Sequence, residues 1–335
     1  MTLNSSAEPS RSAHLEDLLS LYMKFELAEG ICLSIMSLLT VSANILLLLA
    51  VWKDPEKSFR SPTTYFLIGL GITDLLTGAT TEPFFALYYI MRFLRGGKNI
   101  PLSISRLYEV GRSISTVTIS SSYLIVLGLS MSQYIAIKWP HKYRVLITRN
   151  RVIVSVLFSW LYFICFTLVL TFSPNIDTVL FLKVDLALHP VLISSVLFIT
   201  LILLYRVFMK QVQQRKSFRE SEQKLQSSAK RSRADYLQRQ FTIVTLYLAA
   251  VLLISALPHI AVQFVWLYAD LPTEGFYYIF MTLRIRDLML FLKVALDAFI
   301  YAWRLPAYRQ ALKKSLKCST KTTRKPQSEE EEIQL

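Results

Sequence analysis

The sequence predicts an all-α membrane protein, a bundle of seven transmembrane helices followed by a short amphipathic eighth helix. The first observation is composition: 53% of the 335 residues are hydrophobic and the mean hydropathy is +0.41, which is typical of membrane proteins. The second is that apolar runs long enough to cross about 30 Å of hydrocarbon, roughly 20 residues, recur along the chain. They lie at about 27–52, 63–91, 107–137, 151–173, 182–209, 240–268 and 276–303.

The runs predict helices because the bilayer core has no water to hydrogen-bond an exposed backbone, which leaves helices and closed barrels. Their length and their lack of strict apolar–polar alternation argue against barrel strands. Charged residues inside the second, third and seventh runs leave the exact ends of those helices undefined, but the runs still predict helices.

Basic residues predict the orientation of the bundle. The segments 53–61, 138–151, 206–239 and 304–335 hold 26 of the 37 Lys and Arg, so the positive-inside rule places them in the cytosol. The N-terminus is then extracellular and the C-terminus cytoplasmic. The net charge of +14 is explained by topology, and no nucleic-acid partner is expected because no soluble basic face exists.

The expected organisation has four parts: an extracellular N-terminus (1–26), the bundle (27–303), an amphipathic helix on the inner membrane face (304–317) and a cytoplasmic tail (318–335). No cleavable signal peptide is visible in the first 24 residues. Asn4, in Asn-Ser-Ser, is a candidate glycosylation site. Cys318, just beyond the amphipathic helix, is a candidate for palmitoylation.

Several function classes lack the residues that they require. The three cysteines include none in an outer loop, so no extracellular disulfide is expected. With four histidines and no nucleophile elbow, metal-ligand cluster or glycine-rich phosphate loop, the sequence predicts neither an enzyme nor a metal or cofactor site.

Characteristic residues recur in each span, in a fixed order. They are Asn44 in SANILLLLAV, Asp74 in LIGLGITDLL, Tyr134 in LGLSMSQYIAIKWPHKY, Trp160, Tyr205 in LILLYRVF, Pro258 in SALPHI, and Asp297 with Tyr301 in DAFIYAWRLPAYR. With this order and spacing, residues 27–317 resemble the rhodopsin-like (class A) G-protein-coupled receptors.

The chain also departs from that family's usual pattern. Ser132 and Gln133 replace an Asp-Arg pair, Ala256 a tryptophan, Ala298 a proline and Tyr108 an outer cysteine. The missing cysteine and the short outer loop at 173–178 resemble the melanocortin, cannabinoid, lysophospholipid and adenosine receptors.

The resemblance implies a plasma-membrane receptor for an extracellular ligand, which is a lipid, a peptide or a small molecule. Binding would rearrange the helices, and a heterotrimeric G protein would bind the rearranged form. Arrestin is a further candidate partner, and the bundle is expected to contact membrane lipids. One alternative is a receptor-like protein that binds ligand without activating G proteins. Another is an ion or proton transporter, because charges inside spans also mark ion paths, although the two halves show no internal repeat.

An intramembrane polar pocket is expected around Lys293, because a charge at mid-membrane costs about 2.5–3.5 kcal/mol. Lys293 and Asp297 are four residues apart, on one helix face. In the family this pocket often holds sodium. Our hypothesis is that the Lys293 ammonium replaces that ion and bridges Asp74 and Asp297; the alternative is a purely structural pair with Asp297. The predicted pocket is Asn44, Asp74, Ser122, Lys293, Asp297 and Tyr301.

A ligand site is expected in the outer half of the bundle. Arg112 and Arg286 would suit a polar or anionic head group, whereas pairing of Arg112 with Glu109 or Asp287 would merely close the bundle. The predicted ligand set is Glu82, Tyr88, Glu109, Arg112, Thr116, His259, Gln263, Arg286 and Asp287.

The inner ends of the spans are expected to contact the G protein. Gln133 cannot form a charged lock, and Gln238 stands about where an acidic partner would be, so the two amides are expected to hydrogen-bond as neutral groups. The inactive state would then be held less tightly, and basal signalling would be either raised or lost. The predicted coupling set is Ser132, Gln133, Tyr134, Tyr205 and Gln238, with Pro258 as the kink of the sixth span.

Overall fold

The computed structural model describes residues 7–53, 61–173, 177–221, 229–305, 308–310 and 313, and it contains no strand within these ranges. Two π-helical segments, Thr77–Thr81 and Ala187–Ile193, interrupt the second and the fifth spans. The helices are α1 Ala7–Lys53, α2 Thr64–Leu76, α3 Glu82–Leu94, α4 Leu102–Lys138, α5 Pro140–Leu146, α6 Arg149–Phe172, α7 Thr178–Leu186, α8 Ser194–Ser221, α9 Ala229–Tyr268 and α10 Thr273–Arg304.

The predicted seven-helix bundle is confirmed. The spans are α1, α2 with α3, α4, α6, α7 with α8, α9 and α10, while α5 is a short helix between the third and fourth spans. By length and composition, the first, third, fourth, fifth and sixth spans are apolar enough to cross a membrane. The second is divided by its π segment into two helices of 13 residues each, and the seventh carries five charges between Arg284 and Asp297.

Apolar side chains face outward as well as inward, as expected of a protein in lipid. Leu38, Phe158 and Leu257 are 64–71% exposed. Conversely, Asp297 and Lys293 in the middle of the seventh span are buried, with Lys293 only 3% exposed. Because lipid solvates methyl groups but not charges, this arrangement fits the hydrocarbon.

Helix α1 begins about 20 residues before the predicted start of the first span. Its 47 residues extend about 70 Å at 1.5 Å per residue, more than twice the thickness of the hydrocarbon. Leu18 and Tyr22 are buried one turn apart, and the Tyr22 ring lies 6.1 Å from that of Phe280 on α10. Packing against α10 therefore explains why residues 7–26, expected to be an extracellular segment, continue the helix.

Local signals explain several helix ends. The Asp177 carboxylate accepts hydrogen bonds from the backbone N–H groups of Val179 and Leu180, at 2.9 and 3.3 Å, and so caps the start of α7. In the turn between α3 and α4, Gly96 and Gly97 take positive φ angles of 58° and 75°, which glycine adopts without strain. Pro258 lies inside α9, where it removes one backbone hydrogen bond; the kink itself stays a prediction.

Some predicted sites and segments lie outside the described residues: Asn4, Cys318, the whole tail at 318–335 and most of the predicted amphipathic helix at 304–317. Within that helix, Leu305 and Tyr308 are buried against the central apolar cluster.

The fourth span fits closely against the second at Gly69. A Cβ atom on Gly69 would lie 2.7 Å from Cγ1 of Val156, a β-branched side chain with little freedom to move. We expect Gly69→Ala to lower the free energy of unfolding by about 1–3 kcal/mol through overpacking. Thermal unfolding of the purified protein in nanodiscs measures this. Val156→Ala in the same chain should restore most of the loss, and a Gly69→Ala protein as stable as the wild type would contradict the close fit.

Candidate functional site

A cavity of about 250 Å³ opens between the third, fifth, sixth and seventh spans, in the half of the bundle that the sequence predicts to be extracellular and that we call the outer half. Aromatic and aliphatic side chains form much of its wall, including Phe85, Ile119 and Phe291. Five of the predicted ligand residues line it: Arg112, Thr116, His259, Arg286 and Asp287.

The other predicted ligand residues lie behind or beside this wall. Glu109 holds Arg112, with its Oε2 atom 2.7 Å from the guanidinium, so the predicted Arg112–Glu109 pair is present and the Arg112–Asp287 pair is not. Gln263 accepts a hydrogen bond of 3.1 Å from Arg286. Tyr88 stacks on Tyr108, with ring centroids 4.3 Å apart.

Glu82 does not line the cavity. It is buried beside α1, where Thr40 Oγ1 lies 3.4 Å from its carboxylate. The π segment before it explains this placement, because a π turn inserts one extra residue and rotates the following helix by about 100°. From the sequence, the second span was predicted as a single apolar run at about 63–91, without this π segment.

Asp287 is shared by two arginines. Arg286 donates from Nε and Nη2 to Asp287 Oδ1, at 2.9 and 2.5 Å, and Arg284 Nη1 lies 3.8 Å from Oδ2. Arg284 also donates to the Tyr89 hydroxyl and lies 3.6 Å from Glu29 on α1. One carboxylate of the cavity is therefore held by two cations.

Glu26, Glu29, Arg92 and Arg284 were missed by the sequence reasoning. Arg92 Nη1 is 2.6 Å from Glu26 Oε1, and both glutamates are almost fully buried. The available signal was two glutamates three residues apart at the start of an apolar run, hence on one helix face. Their arginine partners are far along the chain, so spacing alone did not pair them.

A second group missed from the sequence surrounds His189, in the π segment of the fifth span. Its Nδ1 is 2.6 Å from Asp185 Oδ1 and its Nε2 is 2.9 Å from the Tyr162 hydroxyl. With Asp185 ionised, Nδ1–H donates to the carboxylate and the Tyr162 hydroxyl donates to Nε2. Asp185 and His189 both line the cavity.

The middle of the bundle contains the predicted polar pocket. Lys293 Nζ is 2.8 Å from Asp297 Oδ2 and 3.2 Å from the Ser122 hydroxyl. The predicted bridge to Asp74 is wrong as a direct contact, because in the described part of the chain the ion pair of Lys293 is with Asp297 and its hydrogen bond to another span is with Ser122. The ammonium thus contacts Asp297 on its own helix and Ser122 on α4, rather than Asp74 on the second span.

The remaining residues of the predicted pocket are buried with it. Asn44 donates 3.0 Å to the Thr40 carbonyl, one turn earlier in α1, and leaves its Oδ1 without a partner in the described chain. Tyr301 is also fully buried. Asp74 is almost fully buried in the same layer, within the electrostatic field of Lys293 but not bonded to it.

The inner end carries a neutral hydrogen-bond network centred on Gln133. Its Oε1 accepts from Gln238 Nε2 at 2.7 Å and from the Thr242 hydroxyl at 3.1 Å, so the predicted bond between the two amides is present. Its Nε2 donates to Thr63 Oγ1 at 3.4 Å, and that hydroxyl lies 2.8 Å from the hydroxyl of Tyr143 on α5. The network joins four elements: α2, α4, α5 and α9.

Three other residues of the predicted coupling set lie apart from this network. Ser132 donates to the Leu129 carbonyl of its own helix at 2.8 Å. Tyr134 accepts a bond of 2.7 Å from Lys138. Tyr205 is 54% exposed on the outside of α8.

Seven spans with a cavity at one end, a buried ionic pocket and an inner polar network define a multi-pass membrane bundle of receptor type. Residues 43–301 match the family described as 7 transmembrane receptor (rhodopsin family), and the chain belongs to this family.

Individual relatives match shorter parts of the chain. The muscarinic acetylcholine receptor gar-2 of Caenorhabditis elegans is 31% identical over 144 residues, 43% of this chain and 20% of that protein. The histamine H2 receptor of Cavia porcellus is 31% identical over 137 residues, 41% of this chain and 35% of the receptor. A dopamine D2-like receptor of Drosophila melanogaster is 29% identical over 131 residues, 39% of this chain and 14% of the receptor. The chain thus spans well under half of the length of these relatives.

The buried ammonium of Lys293 should make the protein insensitive to sodium. We expect equal unfolding temperatures in sodium chloride and in choline chloride of the same ionic strength, because an ammonium already lies beside Asp297. Lys293→Ala should unfold at a lower temperature, since it leaves buried carboxylates unpaired at a cost of about 3–5 kcal/mol, and should be restabilised by sodium. Lys98→Ala, at an exposed lysine, is the control. A wild-type protein stabilised by sodium would contradict this reading.

Proposed function

We propose that this chain is a cell-surface G-protein-coupled receptor. A ligand entering the outer cavity would move α9 relative to α4 and so expose an inner surface that a heterotrimeric G protein reads. The observation that carries the proposal is that α4 contributes to all three polar layers: Arg112 to the cavity, Ser122 to the middle pocket and Gln133 to the inner network. One rigid helix thus contacts both the ligand region and the inner face.

The Gln133–Gln238 bond acts as the restraint on the inactive state in this proposal. A neutral hydrogen bond stabilises by about 0.5–1.5 kcal/mol, whereas a bond to a charged group contributes about 1.5–3 kcal/mol. Separating α9 from α4 breaks the bond and leaves the buried amide of Gln133 and the half-buried amide of Gln238 to find other partners. The resting state is therefore held by a weaker restraint than a charged pair would give, and raised basal signalling follows.

The site of action and the topology are part of the proposal. The receptor would lie in the plasma membrane with its N-terminus outside, so that the basic segments meet the G protein and anionic lipid. Burial of Leu305 and Tyr308 supports an amphipathic segment that packs against the inner end of the bundle. Glycosylation at Asn4, palmitoylation at Cys318 and arrestin binding to a phosphorylated tail complete it.

We further propose kinship with the melanocortin, cannabinoid, lysophospholipid and adenosine receptors within the family. The support is the short connection between α6, which ends at Phe172, and α7, which begins at Thr178, together with Tyr108 at the outer end of α4. Acetylcholine, histamine and dopamine, for which the relatives above are named, are the competing ligand class.

Nucleotide exchange on purified G proteins tests the receptor function. We expect the protein in nanodiscs to accelerate GTPγS binding by at least one type of G protein without added ligand, because the restraint on α9 is neutral. The panel should include each major class of G protein, with empty nanodiscs as the control. If the protein accelerates GTPγS binding by none of the G proteins and a ligand recruits arrestin alone, the result would favour the receptor-like protein that does not activate G proteins. Proton or ion flux in proteoliposomes would favour the transporter.

Removing the hydrogen bond between the side chains of Gln133 and Gln238 should raise basal activity further. Gln238→Leu keeps the size of the side chain and deletes the donor to Gln133, so the active fraction should rise roughly two- to tenfold, the equivalent of one neutral hydrogen bond. Gln240→Leu, two residues away on α9 and outside the Gln133 network, is the matched control. Unchanged basal exchange in Gln238→Leu would show that this bond does not restrain the resting state.

A further inference from the structure

We infer that the outer cavity binds a small organic anion with a hydrogen-bonding group at its far end. This inference deepens the proposed receptor function and depends on it for the ligand's role, but it concerns binding alone. It follows from the size of the cavity, the state of its charged groups and two buried polar atoms on its wall.

The volume limits the ligand. At about 250 Å³, the cavity lies just below the usual range of about 300–1,000 Å³ for ligand pockets and would hold roughly eight water molecules. A lipid tail or a peptide would not be enclosed. A single-ring molecule with short substituents fits.

The charged groups favour an anion. Three guanidinium groups and two carboxylates line the cavity, from Arg112, Arg284, Arg286, Asp185 and Asp287. Asp287 already accepts from one arginine and lies close to another, so an incoming ammonium would approach two like charges. Asp185 is occupied by His189 at 2.6 Å.

Arg112 is the cation most open to a ligand. It is the only charged residue that α4 contributes to the cavity wall, and its side chain is 60% exposed. Glu109 contacts two of its nitrogens but lies outside this cavity, in a neighbouring crevice. The third nitrogen, Nη1, has no bond among the described residues, so a carboxylate can bind there in a charge-assisted hydrogen bond.

Two polar atoms on the cavity wall have no partner in the described structure. The Tyr123 hydroxyl, on a side chain that is 95% buried, makes no hydrogen bond, and neither does His259 Nδ1. Both residues line the cavity. A buried polar group without a partner is destabilising, so a ligand hydroxyl or carbonyl that hydrogen-bonds to these atoms gains affinity and orientation. Phe85, Ile119 and Phe291 supply the apolar wall that a ring would contact.

Matched pairs of ligands that differ in the sign of the charge test the inference. The acids are 4-hydroxybenzoate, 4-hydroxyphenylacetate and 3-(4-hydroxyphenyl)propionate; the amines are 4-hydroxybenzylamine and tyramine. Thermal unfolding and calorimetric titration of the purified full chain in nanodiscs measure binding without a G protein. We expect at least one acid to bind and to raise the unfolding temperature, while the amines do not.

Variants locate the two ends of the ligand. Arg112→Gln should weaken binding of the acid by about tenfold or more, as expected for a hydrogen bond to a charged group, while Arg106→Gln, an exposed arginine on the same helix, leaves it unchanged. Tyr123→Phe should weaken it several-fold by removing one hydroxyl. Binding of amines equal to or tighter than that of acids, binding of no acid at millimolar concentration, or indifference to Arg112→Gln would overturn the inference. Basal nucleotide exchange in the same preparation would show that the receptor function stands even when the ligand class is wrong.

Discussion

The hydrocarbon of the bilayer offers no hydrogen bonds, so a polar group within a span needs a partner supplied by the bundle. This constraint explains the pairing of Lys293 with Asp297 within the seventh span and of Glu29 with Arg284 between the first and seventh spans. It also explains why many large apolar side chains of the spans face outward. A pair between spans fixes the distance and the rotation of two helices, which apolar contacts alone leave adjustable.

The same pairs divide the bundle into layers with different mechanical properties. The outer layer is ionic and ties α1 to both α3 and α10, and the middle layer ties α10 to α4 through Ser122. The inner layer, where a G protein would bind, is held by uncharged amides and hydroxyls around Gln133. Neutral bonds are the weakest of the three kinds, so the inner end is where the bundle opens most readily. This decrease in bond strength from the outer to the inner layer suits the proposed transmission of a signal inward.

The sequence predicted the parts of this architecture that depend on local spacing. The seven apolar runs predicted the spans, the four-residue spacing of Lys293 and Asp297 predicted their contact, and the replacement of charged residues by amides predicted the Gln133–Gln238 bond. It did not predict features that depend on backbone register or on distant partners. The π segment before Glu82 turned that carboxylate away from the cavity, and Arg284 lies more than 250 residues from Glu29 along the chain. Lys293 also contacts Ser122 on α4 rather than Asp74, a partner that spacing along α10 alone does not identify.

The central claim is that buried charges stabilise the bundle by pairing between spans, and a double-mutant cycle on Glu29 and Arg284 tests it most directly. Free energies of unfolding would be measured in nanodiscs for Glu29→Gln, Arg284→Gln and the double variant. The account predicts that each single variant is clearly destabilised and that the double variant loses less than the sum of the two, with a coupling above about 1 kcal/mol. Additive losses would mean that the two charges act independently and would contradict the account.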